Sequence, residues 1–140
     1  MRKRPQRKTS RRAYSSIKRS QGKRSGLEVQ VASQLGDHAK YEPHWIEYER
    51  PTKPAKYKPD FQLKNGIYVE TKGWFRTEDR QKHLLIKYQH PHLDIRFVFS
   101  NPEAKIGKKS QTTYAMWCQK NGFKYAKGVV PTEWINEKTN

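Results

Sequence analysis

Asp60, Glu70 and Lys72 bring two carboxylates and one ammonium within thirteen residues of each other. Adjacent carboxylates repel unless a cation lies between them. Oxygen ligands of this kind suit Mg²⁺, with Mn²⁺ able to substitute, and both ions also bind phosphate oxygens. A metal held there polarises a phosphoryl group and lowers the pKa of a bound water. A nearby ammonium orients that water or offsets charge in the transition state. The spacing by itself is a weak signal, since such D…ExK patterns also occur as solvated hairpin faces in unrelated proteins.

The intervening residues decide whether the three meet. Phe61, Leu63, Ile67 and Val69 are apolar, Asp60, Gln62, Tyr68 and Glu70 are not, and Lys64-Asn65-Gly66 supplies a turn. A two-residue Asn65-Gly66 loop would set Phe61 opposite Glu70 and mix apolar with charged on each face. A three-residue loop with Gly66 in the left-handed conformation pairs Leu63 with Ile67, Phe61 with Val69 and Asp60 with Glu70. Side chains alternate along a strand, so this register sends the apolar four to one face and Asp60, Glu70 and Lys72 to the other.

Around this hairpin the chain reads as alternating helices and strands, an α/β sandwich around a mixed sheet. Ser25-Gly26-Leu27-Glu28 resembles a capping box opening a helix to about Leu35, closed by Gly36. Glu28 is either the capping acid or a third site acid, because helical periodicity aligns it with the inward Val31, Ala32 and Leu35. Lys40 to Lys58 is extended, with a strand at Tyr41–Tyr48 and prolines at 51, 54 and 59 that forbid helix. Thr77 caps a helix through about His90, with Leu84, Leu85 and Tyr88 as its apolar face and Arg80, Lys82, His83 and Lys87 as its polar complement. Ile95 to Ser100 is the most hydrophobic strand and is expected to be central. A basic loop (101–111), a helix (113–121) ended by Gly122, a strand (123–126) and a segment holding Trp134 and Ile135 complete the chain.

With 140 residues, the chain forms one domain, 25–140, preceded by an arm, 1–24. Lys and Arg outnumber Asp and Glu 30 to 13, for a net charge of +17, which points to a polyanion and most simply to nucleic acid. The arm carries eleven of those cations and no acid, and its composition favours disorder in the free protein. It reads as a DNA-contacting arm, with an organellar transit peptide as the alternative. The only cysteine, Cys118, lies in an apolar stretch and reads as a core residue. No apolar run approaches membrane-spanning length. The core is small for the chain, and a proline-stiffened segment from Pro43 to Pro59 separates Glu28 from Asp60. Both features suit a homodimer.

Several stretches together resemble endonuclease I of T-seven-type bacteriophages. They are Arg24-Ser25-Gly26-Leu27-Glu28, Lys58-Pro59-Asp60-Phe61, Asn65-Gly66-Ile67-Tyr68-Val69-Glu70-Thr71-Lys72-Gly73 and Lys82-His83-Leu84-Leu85-Ile86, continued by Gln89-His90-Pro91, Asp94-Ile95-Arg96 and Pro131-Thr132-Glu133-Trp134-Ile135. The match covers roughly residues 24–137. The resemblance implies a Holliday-junction resolvase with a PD-(D/E)xK, restriction-endonuclease-like core in a strand-swapped homodimer. It implies Glu28, Asp60, Glu70 and Lys72 as the active-site set, with Asp60, Glu70 and Glu28 as metal ligands. It also implies a bridge around Glu47–Pro54 through which Glu28 completes the partner's site. The arm is longer and more basic than that pattern.

The expected activity is therefore Mg²⁺-dependent cleavage of branched DNA, without a small-molecule cofactor or a membrane partner, in the cytoplasm of an infected bacterium. Arg24, Ser25, Arg80, Lys82 and Lys108 are the candidate DNA contacts. The competing class is a non-enzymatic basic nucleic-acid-binding protein. A sequence-specific nuclease of restriction type is the other enzymatic reading, disfavoured because no long target-recognition domain is available.

Overall fold

A computed structural model describes residues 26–50 and 53–138. The arm, Arg24, the proposed cap Ser25, and Pro51 lie outside the described residues. The order of elements is α1 (Gly26–Leu35), a short 3-10 turn (Gly36–His38), β1 (Ala39–Tyr41), β2 (Ile46–Arg50), β3 (Lys53–Tyr57), β4 (Phe61–Leu63), β5 (Tyr68–Lys72), α2 (Thr77–Gln89), β6 (Ile95–Phe99), α3 (Tyr114–Asn121), β7 (Tyr125–Lys127) and α4 (Thr132–Asn136).

Five strands form a mixed sheet in the order β1-β4-β5-β6-β7. The β1–β4 and β4–β5 pairs are antiparallel, whereas β5–β6 and β6–β7 are parallel, joined by crossovers through α2 and α3. The protein is thus α/β with a mixed central sheet. β6 is an interior strand as expected, buried along its whole length, although β5 holds the middle position.

The β4–β5 hairpin has the register that its apolar pattern selects. Phe61 faces Val69, the Leu63 N–H donates to the Ile67 carbonyl at 2.8 Å, and Gly66 has φ +94°. Glycine carries that positive φ without the clash a Cβ would introduce. Phe61, Leu63, Ile67 and Val69 pack with Leu27, Val31 and Leu35 of α1 and with Trp134 of α4. Tyr68 lies on the opposite face with Ile46, Tyr48, Tyr57 and Ile86. Both faces of the hairpin are therefore covered, so the face bearing the acids is not the solvated one a lone hairpin would present.

One element departs from the sequence reading. Leu84, Leu85 and Tyr88 do not form the buried face of α2: Leu84 is 39% and Tyr88 86% exposed, while His83 and Ile86 are fully buried. The His83 ring packs edge-on against Tyr57 at 5.0 Å and Phe97 at 4.8 Å. It fills an aromatic slot in the core, and that rotates the helix away from the phase its leucines suggest. The 40–58 segment is extended as expected and contains β3, a strand that includes Pro54. This strand pairs antiparallel with β2, Ile46 facing Tyr57 and Glu49 facing Pro54, in a two-stranded sheet where a missing N–H is tolerated at an edge. Prolines in this segment thus do not prevent it from folding back on the same chain.

Other expectations hold. The 114–121 helix is capped by Thr113, whose hydroxyl accepts the Met116 N–H at 3.1 Å, and ends at Gly122 with φ +76°. Cys118 is buried in the aromatic cluster with Phe75, Phe97 and Trp117, and burial pushes its thiol up to about 12, so it is a core residue rather than a nucleophile. No helix among the described residues is long and apolar enough to cross a membrane.

Candidate active site

Pairing within the hairpin brings Asp60 beside β5. One Asp60 carboxylate oxygen accepts both the backbone N–H and the hydroxyl of Thr71, each at 2.9 Å. The Asp60 carbonyl accepts the Glu42 N–H at 2.7 Å, which ties this turn to the end of β1. Glu70 lies on the α2-facing side of β5, and its carboxylate accepts a hydrogen bond from the Tyr57 hydroxyl. Lys72 Nζ stands 3.8 Å from Glu70 and 3.4 Å from Asp79 in the first turn of α2. Asp60 and Glu70 are only 6% and 4% exposed.

Burying two carboxylates together disfavours their charged forms. Burial first, and then the charge on Asp60, push Glu70 up to about 7, against the opposing pull of Lys72, Lys82 and the Tyr57 hydrogen bond. Burial alone would lower Lys72, but Glu70, Asp79 and Asp60 outweigh it and raise its pKa. Tyr57 is held well above its ordinary value by burial and by Glu70, so it remains a hydrogen-bond donor. The raised pKa favours the ammonium form of Lys72 near neutrality.

Glu28 is 4% exposed on α1, where it accepts a hydrogen bond from the Tyr41 hydroxyl at 3.0 Å. It does not complete a three-acid group with Asp60 and Glu70 in the single chain: among the described residues, no three His, Cys, Asp or Glu side chains form a metal-binding group. Of the candidate DNA contacts, Arg80 spends its guanidinium on the Phe75 carbonyl (2.6 Å) and the Thr77 hydroxyl (3.1 Å), which fixes the β5–α2 turn. Lys82 lies over the Tyr57 ring at 5.3 Å, and its charge lowers the Glu70 pKa. Lys108 is exposed on the 101–111 loop. Arg24 and Ser25 are outside the described residues.

Sequence reading missed Tyr57 and Asp79. Tyr57 was hidden because an extended, proline-punctuated segment carries no local sign of what it packs against, and its hydroxyl meets Glu70 only in the folded chain. Asp79 accepts the Arg76 N–H at 3.1 Å, so it has the helix-capping signature of a first-turn acid and looks purely structural until Lys72 is placed beside it. His83, beneath Tyr57, has no hydrogen-bond partner at either ring nitrogen. Burial, with Lys82 and Lys72 adding to it, holds the ring well below its ordinary pKa and therefore neutral.

The sequence profile of the phage endonuclease I family matches residues 10–140. Over 117 residues the chain is 50% identical to Endonuclease I of Escherichia phage T7, covering 81% of this chain and 78% of that protein. It is 47% identical over 117 residues to Endodeoxyribonuclease 1 of Enterobacteria phage T3, covering 81% and 77% respectively.

Proposed function

Because the chain belongs to the phage endonuclease I family, we propose that it is a Mg²⁺-dependent, structure-selective DNA endonuclease that resolves four-way (Holliday) and other branched junctions. The observation that carries this reading is the buried pairing of Asp60 and Glu70 with Lys72 against them. Burying like charges lowers stability, and a protein that merely bound a polyanion would gain nothing from it. A divalent cation gives the arrangement its purpose and weighs against the non-enzymatic reading.

The residues fit such an ion. Glu70 is pushed up to about 7 by burial and by its acidic neighbour, which is the environment a cation would relieve. Mg²⁺ takes hard oxygen ligands and commonly uses one or two carboxylates, with waters and substrate phosphates completing its shell. Asp60 and Glu70 would hold it, with Glu28 adding a carboxylate. When bound, it would polarise the scissile phosphate and favour ionisation of water. Thr71 holds the Asp60 carboxylate through two hydrogen bonds to one of its oxygens, and Tyr57 holds that of Glu70. Asp79 and Glu70 hold the Lys72 ammonium, which orients the attacking water and offsets charge developing on the phosphate. The fold around them is proposed to be a restriction-endonuclease-like core, in which the antiparallel β4–β5 hairpin presents the acids.

The working unit is proposed to be a strand-swapped homodimer. In the single chain, α1 packs on β4 and β5. A domain exchange would give the same contacts to the partner and would open β2–β3 into a bridge. Each Glu28 would then serve the other subunit's site. A branched junction offers two symmetry-related strands, and a two-fold dimer offers two sites.

Chemistry and binding should separate in mutants. Asp60→Ala and Lys72→Ala are expected to slow junction cleavage by at least about 10²–10³-fold while leaving junction affinity nearly unchanged, because phosphate contacts position the DNA independently of the reacting groups. Near-normal cleavage by either variant would exclude the proposed site. The arm is expected to act electrostatically. Deleting residues 1–20 removes nine Lys/Arg. Binding should weaken, and the log–log slope of affinity against salt should become shallower by about 0.9 for each phosphate the arm had neutralised. An unchanged slope would show that the arm does not touch DNA.

A further inference from the structure

Trp74 is 72% exposed, yet the next residue, Phe75, is buried. Gly73 follows the last residue of β5, and Phe75 is buried in the aromatic cluster, its N–H donating to the Tyr114 hydroxyl at 3.2 Å and its carbonyl accepting from Arg80. The indole is therefore held out on a fixed turn. The Arg76 guanidinium lies 5.0 Å from the ring centroid and also pairs with Glu78 at 3.3 Å. Across from them, Lys105 and Lys108 line the same groove, of about 610 Å³, on a loop fixed by the Ile106 N–H to the Thr112 carbonyl and the Tyr114 N–H to the Ala104 carbonyl, both 2.9 Å. Asp79 links the groove to the site, since its carboxylate accepts the Arg76 N–H and also pairs with Lys72.

From this geometry we infer that the Trp74 groove binds an unpaired nucleotide of the DNA strand beside the scissile phosphate. The inference rests on the endonuclease reading above and names the part of the substrate this groove takes. A base stacks on the indole, extending the Arg76–Trp74 pair, and Lys105 and Lys108 meet the flanking phosphates. Three cations against the single acid Glu78 favour a polyanion over an acidic or apolar partner. An aromatic face accepts any base, so the groove selects for unpaired DNA rather than for sequence. A base within an intact duplex is already stacked on its neighbours and cannot use the indole. The groove thereby gives the nuclease a physical reason to prefer those branched or imperfectly paired sites at which a base is left unpaired.

The test uses the full chain with Ca²⁺ in place of Mg²⁺, so that binding is measured apart from cleavage. Two probes are compared: a branched DNA carrying a single unpaired 2-aminopurine at the branch, and a fully paired duplex of the same length. Trp74→Ala should weaken binding to the first by about tenfold, the size of effect that base–aromatic stacking gives on alanine substitution, and abolish 2-aminopurine quenching. Affinity for the duplex should change less than twofold, and Trp74→Phe should keep most of the affinity and the quenching. Thermal melts of both variants, expected to match the wild type because the indole is exposed, confirm that folding is unaffected. Equal loss on both probes, or no loss on the branched one, would overturn the inference. Should wild type cut branched DNA with Mg²⁺ while Trp74→Ala binds normally, the inference alone fails. Failure of the wild type to bind or cut DNA would remove the endonuclease reading and this inference with it.

Discussion

Glu70→Gln is expected to produce opposite effects on activity and stability. Cleavage of branched DNA should fall by at least about a thousandfold, because the variant loses a charged metal ligand and the anionic partner of Lys72. The metal-free protein should nevertheless become more stable at neutral and alkaline pH. The sign follows from linkage. The folded Glu70 carboxyl titrates near 7 instead of its ordinary 4.5, so the folded chain holds this proton more tightly than the unfolded chain. Its contribution is fully present below about 4.5, declines as pH rises towards 7, and above 7 leaves a penalty of roughly 3 kcal/mol at 1.36 kcal/mol per pKa unit. Glutamine has no charge to bury. In EDTA at pH 8.5 the variant should melt about 5–10 °C above wild type, and at pH 4.5 the difference should nearly vanish. Added Mg²⁺ should raise the wild-type melting temperature and leave the variant unmoved. Calorimetry at fixed protein concentration checks all three. Equal melting curves at pH 8.5 would mean that Glu70 ionises without strain and that the site does not need a cation.

Mixing two dead proteins should restore activity. The Glu28→Ala and Glu70→Ala variants are each expected to be inactive on a four-way junction. If Glu28 of one subunit serves the site containing Glu70 of the other, a heterodimer has one site with both lesions and one with neither. Nicking of a single strand per junction should then return after the two are refolded together, at a rate set by the heterodimer fraction. The two lesions are well placed for this, since Glu28 lies on α1 and Glu70 on β5, with the β2–β3 segment between them in sequence. Subunit exchange demonstrated by differently tagged chains, with no recovery of nicking, would mean that each site is built within one chain.

The sequence made the hairpin legible because period-two patterning and a required left-handed Gly66 left one acceptable register, and that register alone puts Asp60 beside Glu70. It also revealed the alternation of helices and strands, and thus the mixed sheet. The depth of the site was not legible. Nothing local to Glu70 indicates that α2 and the β2–β3 hairpin cover it, because that burial comes from other elements, as in the contact of Tyr57 with Glu70 across 13 residues of sequence. The orientation of α2 was misread for a related reason. Leucines at 84 and 85 outweigh a histidine at 83 on any hydropathy scale, yet an uncharged imidazole among Tyr57, Phe97 and Phe123 behaves as an aromatic core residue. The prolines excluded helix from 40–58 and left it extended, but did not reveal that β3 pairs back on β2 in a two-stranded sheet whose strands are both edges. Nothing in the residues around Trp74 marks it for a role. Its exposure becomes informative only when the 101–111 loop is seen across the groove.

The most direct measurement compares end-labelled four-way junction DNA with a linear duplex of identical arm sequence, each incubated with the wild-type protein with Mg²⁺ supplied or withheld. Hydrolysis at Asp60, Glu70 and Lys72 by a branch-selective dimer predicts paired cuts near the junction centre in Mg²⁺, none in EDTA, and cutting of the linear duplex slower by at least about 10²-fold, within the range enzymes achieve through differential binding of a cognate substrate. Equal cutting of both substrates would contradict branch selectivity, and undiminished cutting in EDTA would contradict the metal site.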